Sequence, residues 1–160
     1  MIGLSIAKFY SALGYSVVVL EKESRAGEGI SSRNSGVIHG GIYYPANSLK
    51  TKFCIEGNKM LYKYAKLKNI SHQKLGKYII ASQDSDLGKL DKIYEQGISN
   101  GATIRRCSKD EMQTAYPDLI LTGGIYSSET GIIDVPELIS ALEYWASASE
   151  IPIQHKIIKM

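Results

Sequence analysis

His39 sits among small and aromatic residues in the run Ser31-Ser32-Arg33-Asn34-Ser35-Gly36-Val37-Ile38-His39-Gly40-Gly41-Ile42-Tyr43-Tyr44-Pro45. An imidazole titrates near neutral pH, so His39 is a candidate for taking and returning a proton; a lone histidine also serves as a surface or satisfied structural residue. Tyr43 and Tyr44 carry phenolic O–H groups that can donate to a carboxylate, or they pack as aromatics at a strand end. Arg33, Asn34, Ser35 and Gly36 place side-chain and backbone donors close to a bend. Such a set can satisfy phosphate oxygens or the polar edge of a ring without holding the ligand away. Arg33 reads equally as a solvated loop charge.

The elements that position these groups follow from apolar spacing. Ile6, Phe9, Tyr10 and Leu13 recur at helical intervals, Gly14 stops that helix, and Ser16 to Leu20 is a β-branched strand ending at Glu21. Helix, glycine stop, strand and acid is the order of a dinucleotide-binding unit entered after its first strand. Gly3 then stands as the third glycine of a G-x-G-x-x-G turn, where it permits close helix–strand packing, and Glu21 stands where such folds bind ribose hydroxyls. The alternative for Glu21 is a solvated residue at a strand end.

Lys22 to Ile30 reads as a loop. Ser48 caps a helix with an apolar stripe of Leu49, Phe53, Met60, Tyr64 and Leu67, expected in the core, and Lys50 and Lys52 in its first turn are expected to face solvent. Tyr78 to Ala81 is a strand, and a helix through Leu87, Leu90, Ile93 and Tyr94 ends near Asn100-Gly101. Ile104 opens a short strand. Ser108-Lys109-Asp110-Glu111 has capping-box spacing before a helix that stops near Tyr116-Pro117. Gly123 to Tyr126 is a strand and Glu129-Thr130-Gly131 a turn. Ile132 to Val135 leads into a helix with Pro136 in its first turn and an apolar face of Leu138, Ala141, Leu142 and Trp145. Ile151-Pro152-Ile153 and Ile157-Ile158 form the last strand.

Composition narrows the function classes. Hydrophobic residues at 44% and charged residues at 22% disfavour disorder, and a net charge of +3 without a basic run disfavours nucleic-acid binding. No apolar run is long enough to span a bilayer and no signal peptide is visible, which leads to the expectation of a cytoplasmic protein, with a peripheral place at the inner face of a membrane as the alternative. Cys54 and Cys107 form no C-x-x-C pair. His39, His72 and His155 lie apart without metal-ligand spacing, so no metal is expected. Ser35, His39 and Asp134 lack the nucleophile elbow of a hydrolytic triad.

Taken together, Ser31 to Pro45, Lys50 to Gly57, Gly76 to Ala81 and Gly123 to Val135 resemble, in that order, segments of D-amino-acid-oxidase-type flavoenzymes. Among these the chain is most similar to the L-2-hydroxyglutarate dehydrogenase/oxidase family. His39 to Pro45 with Ser48-Leu49-Lys50 carries that finer resemblance.

The resemblance implies an α/β fold: a partial Rossmann-like FAD-binding domain interleaved with part of an α+β substrate domain. The expected segments are 1-45 of the FAD-binding domain, 46-122 of the substrate or cap domain, and 123-160 returning to the FAD-binding domain. It implies FAD as cofactor, contacted by Gly3, Glu21, Arg33, Asn34, Ser35 and Gly36. The implied reaction is oxidation of L-2-hydroxyglutarate to 2-oxoglutarate, in which the flavin accepts hydride, His39 serves as base or flavin-contacting group, and Tyr43 and Tyr44 meet substrate. The implied partners are a 2-hydroxy acid and an electron acceptor such as a quinone or oxygen. At 160 residues the chain is expected to be an amino-terminal fragment of such an enzyme, paired with a complementary chain or left as an inactive split-gene remnant. A neighbouring specificity, for glycerol 3-phosphate or an amino acid, is the sister alternative.

Overall fold

The computed structural model describes residues 1–155. The described residues form two compact units, one of residues 1–36, 65–71 and 133–155, the other of residues 37–64 and 72–132. Residues 37–38 hydrogen-bond into a sheet of the second unit, and residues 65–71 pack with the first.

The first unit begins with α1 (Ile2–Ala12), which ends as expected where Gly14 takes a φ of 83°. Strand β1 is only Val19–Leu20 rather than the whole of Ser16 to Leu20, since only those residues find a partner. The partner is β8 (Ile153–Gln154), parallel to β1 and matching Val19 to Ile153 and Leu20 to Gln154. The strand near Ile153 therefore pairs with the strand that precedes Glu21; Ile157 and Ile158 lie outside the described residues. Helix α5 (Val135–Ala148) starts where the Asp134 carboxylate accepts the Glu137 N–H at 2.8 Å, with Pro136 in its first turn, and buries Val135, Leu138, Ile139, Leu142 and Ala146. Of the expected α5 face, Ala141 and Trp145 are half-buried.

Helix α1 departs from expectation. Leu4 and Ala7 are buried, whereas Ile6, Phe9, Tyr10 and Leu13, the periodic stripe, are 47–62% exposed. Val18 and Leu20 are exposed too, so an apolar groove of about 380 Å³ runs between α1 and residues 15–20. A parallel strand is ordinarily covered on both faces; this one is not among the described residues.

The second unit contains two sheets. In one, β2 (Val37–Ile38) pairs antiparallel with β7 (Gly131–Ile133), which has β3 (His72–Gln73) on its other side. In the other, β4 (Lys77–Ala81) and β5 (Ile104–Cys107) flank β6 (Gly123–Ser127), all antiparallel. Strand alternation gives this sheet two apolar faces. Ile79, Ala81 and Ile125 pack against Leu87, Leu90, Ile93 and Tyr94 of α3 (Leu87–Ser99). Tyr78 and Tyr126 pack on Cys107, Leu121 and Met112 of α4 (Lys109–Ala115). The Ser108 hydroxyl accepts the Glu111 N–H at 3.1 Å, as the capping box requires, while the Glu111 carboxylate turns to Arg105 instead of closing the box.

Helix α2 (Leu49–Lys68) starts at Ser48, whose hydroxyl accepts the Thr51 N–H at 3.1 Å. Of its expected core stripe only Tyr64 is half-buried. Leu49, Phe53, Met60 and Leu67 are 62–72% exposed, while Thr51, Asn58 and Ala65 are buried. On the inward face Thr51 and Asn58 hydrogen-bond backbone carbonyls of the adjoining loops, a demand that apolar side chains cannot meet.

Candidate functional site

In the first unit, Asn34 builds a local turn: its Oδ1 accepts the Gly36 N–H at 2.7 Å, and its Nδ2 donates to the Ser31 carbonyl. Gly36 has a φ of 66°, and a Cβ there would lie 2.8 Å from the Ile133 carbonyl oxygen, so the bend demands glycine. Across this bend the Gly36 carbonyl accepts the Ile133 N–H at 2.9 Å. The result is a cavity of about 560 Å³ between residues 25–36 and the start of α5, lined by Ser31, Ser32, Asn34, Ser35 and Gly36 on one side. Its acids are partly spent: Glu28 is paired with Arg25 at 3.0 Å and held below its usual pKa by the Ser24 hydroxyl and Arg25, while Asp134 caps α5.

Arg33 ends the short 3₁₀ turn Ile30–Arg33 and does not line the cavity. Gly3 lines the separate groove beside β1, where a Cβ would meet nothing within 4 Å; the close helix–strand packing expected there is not formed among the described residues. Glu21 directly follows β1, is half-buried, and accepts the Glu23 N–H at 3.1 Å on one oxygen. Of the residues read as cofactor contacts, Asn34, Ser35 and Gly36 thus share a cavity, and Arg33, Gly3 and Glu21 lie apart from it.

The second unit holds His39, Tyr43 and Tyr44. The His39 and Tyr44 rings are 6.3 Å apart between centroids. Lys50 Nζ lies 4.1 Å from the Tyr44 ring centroid, and Lys77 Nζ lies 4.6 Å from that of Tyr43. Partial shielding from water, followed by the positive charges of Lys77 and Lys50, lowers the His39 pKa below the usual histidine value of 6.5. Shielding chiefly raises the Tyr44 pKa, with smaller contributions from Cys54 and Tyr43, so its phenol stays a donor.

Two asparagines fix this segment. Asn58 is buried on α2, and its Nδ2 donates to the His39 carbonyl at 3.1 Å and the Glu129 carbonyl at 2.8 Å. Asn100, at the end of α3, donates to the carbonyls of Gly41 and Tyr44, both at 2.9 Å. Sequence reasoning missed Asn58, Asn100 and Lys77. Asn100 was legible only as a helix end, and neither Asn58 nor Lys77 stood out by spacing. Lys50, expected in solvent, is exposed but engaged with Tyr44.

Among the described residues there is no cluster of histidine, cysteine or acidic side chains able to hold a metal. Nor is any helix among them long and apolar enough to cross a membrane.

The family model described as FAD dependent oxidoreductase matches residues 1–154. The chain is 39% identical over 143 residues to the mitochondrial L-2-hydroxyglutarate dehydrogenase of Arabidopsis thaliana, covering 89% of this chain and 30% of that protein. It is 37% identical over 125 residues to the protein of the same name from Dictyostelium discoideum, covering 76% and 28%. Among solved structures, the FAD-bound, dithionite-reduced L-alpha-glycerophosphate oxidase of Mycoplasma pneumoniae superposes with a TM-score of 0.82 at 25% identity, over 96% of this chain and 42% of that one. The chain spans under a third of the length of these curated relatives.

Proposed function

The chain belongs to the FAD-dependent oxidoreductase family, whose cofactor is FAD, and we propose that it is part of an enzyme that oxidises L-2-hydroxyglutarate to 2-oxoglutarate. The substrate follows from similarity to relatives bearing that name across 76–89% of the chain. The observation that carries the chemistry is His39, an imidazole kept neutral near pH 7 beside two tyrosines and two lysines.

The residues of the first unit fit a dinucleotide. The glycine bend at Gly36 and the hydroxyl and amide groups around it offer donors with little bulk, so Asn34, Ser35 and Gly36 would hold polar oxygens of FAD. Glu21, with one carboxylate oxygen engaged by Glu23, would take ribose hydroxyls; Gly3 and Arg33 are kept as secondary contacts. When bound, FAD supplies the two-electron acceptor.

The second unit supplies the proton chemistry. Asn58 pins the His39 backbone, which restricts where the ring can stand. As the C2 carbinol loses two electrons and becomes a carbonyl, His39 takes the hydroxyl proton. The nearby lysines disfavour an imidazolium, which keeps the base form available at neutral pH. Tyr43 and Tyr44 donate to substrate oxygens, Tyr44 from a chain position fixed by Asn100.

A second reading, a glycerol 3-phosphate oxidase, draws on the superposition with the Mycoplasma enzyme. Anaerobic addition of each compound to the FAD-loaded enzyme of which this chain is part separates the two. Bleaching of the flavin by L-2-hydroxyglutarate and not by its D enantiomer or glycerol 3-phosphate is expected; bleaching by glycerol 3-phosphate alone would replace the proposal. His39→Asn is expected to abolish bleaching while FAD stays bound, and unchanged turnover would remove His39 as base. The terminal electron acceptor, a quinone or oxygen, belongs to the same proposal, as does cytoplasmic placement. Activity recovered only in pelleted membranes would overturn that placement.

A further inference from the structure

We infer that Lys50 and Lys77 form a specificity-determining pair that selects small dicarboxylates; the inference rests on the 2-hydroxy-acid reading of the same site. Lys50 enters from the first turn of α2 and Lys77 from the start of β4, 27 positions apart in sequence, so the fold alone assembles them. Each lies over one member of an adjacent tyrosine pair, Lys50 over Tyr44 and Lys77 over Tyr43. Neither forms an ion pair among the described residues. Lys74, three positions before Lys77, is by contrast joined to Glu129 at 2.6 Å.

The arrangement raises the cost of positive charge at His39, and no acidic side chain among the described residues offsets it. A ligand with two carboxylates does. Ammonium groups held against ring faces keep N–H donors for carboxylate oxygens, and a diacid offers a carboxylate for each of the two lysines. A monocarboxylate engages only one of them. Burial chiefly lowers the His39 pKa and the charges of Lys77 and Lys50 add to it; a bound dianion offsets those charges, so diacid binding and the His39 pKa are linked.

The test is calorimetric binding of glutarate, butyrate and sn-glycerol 3-phosphate to the protein, with His39 followed by NMR titration. Glutarate is expected to bind about tenfold more tightly than butyrate and to raise the His39 pKa. Lys50→Gln and Lys77→Gln are each expected to weaken glutarate severalfold, and the double variant is expected to bring glutarate and butyrate within about twofold of each other. Lys77→Arg should restore most of the preference, separating charge from strand packing. Equal binding of glutarate and butyrate to the unaltered protein, or a preference that survives in the double variant, overturns the pair. Tighter binding of glycerol 3-phosphate than glutarate overturns the dicarboxylate assignment. If L-2-hydroxyglutarate fails to bleach the flavin while the glutarate preference collapses in the double variant, the pair stands and the proposed reaction falls.

Discussion

Replacing Asn58 by alanine tests how the segment bearing His39 is held. Asn58 is 5% exposed, and its amide nitrogen makes two hydrogen bonds, 3.1 Å to the His39 carbonyl and 2.8 Å to the Glu129 carbonyl. A net value of about 0.5–1.5 kcal/mol per bond gives about 1–3 kcal/mol for the two. The Glu129 carbonyl keeps the Tyr62 hydroxyl at 3.2 Å, so the desolvation penalty falls mainly on the His39 carbonyl and places the loss near the upper part of that range, about 2–3 kcal/mol. With a urea m-value of about 2 kcal/mol/M, the unfolding midpoint should fall by about 1–1.5 M with m unchanged. Asn58→Asp should be worse than alanine at pH 7, because it turns a carboxylate towards two carbonyl oxygens. A change below about 0.5 kcal/mol for alanine, or an aspartate variant as stable as the unaltered protein, would refute the reasoning.

Gly36→Ala should cost about 1–2 kcal/mol for a left-handed backbone alone and more for the approach of its Cβ to the Ile133 carbonyl, measured by urea unfolding; a neutral outcome would remove the strained bend from the cofactor argument. The lowered His39 pKa means that the unfolded chain takes up a proton first. His39 therefore contributes stability that is present above pH 6.5 and lost as pH falls through its lower folded value, a pH slope that His39→Asn should reduce in urea titrations at pH 5 and 7. Expressed as these 160 residues, the chain should bind FAD weakly, because the groove beside Gly3 stands open and β1 has one unpaired edge among the described residues; a stoichiometric yellow spectrum with substrate-dependent bleaching would defeat this.

Local chemistry made much of this protein legible in its sequence. Gly14, Ser48, Ser108 and Asp134 mark helix ends because capping and positive φ are satisfied within a few residues. The α/β class and the FAD-dependent family were readable for a similar reason: the order of helix, glycine stop, strand and acid, and the run from Ser31 to Pro45, are properties of the chain itself. Burial was not local. The stripes on α1 and α2 have correct helical spacing, yet Phe9, Phe53 and Met60 are exposed, since periodicity shows that a face exists and only packing decides which face is covered. The same holds for the surroundings of His39. Asn58 reaches it across 19 positions, Asn100 holds Tyr44 across 56, and Lys77 reaches Tyr43 from another strand. The sequence supplied the imidazole and the tyrosines, but their hydrogen-bond partners and their electrostatic field came from residues brought near by tertiary folding, where distance in space rather than in sequence sets the energy.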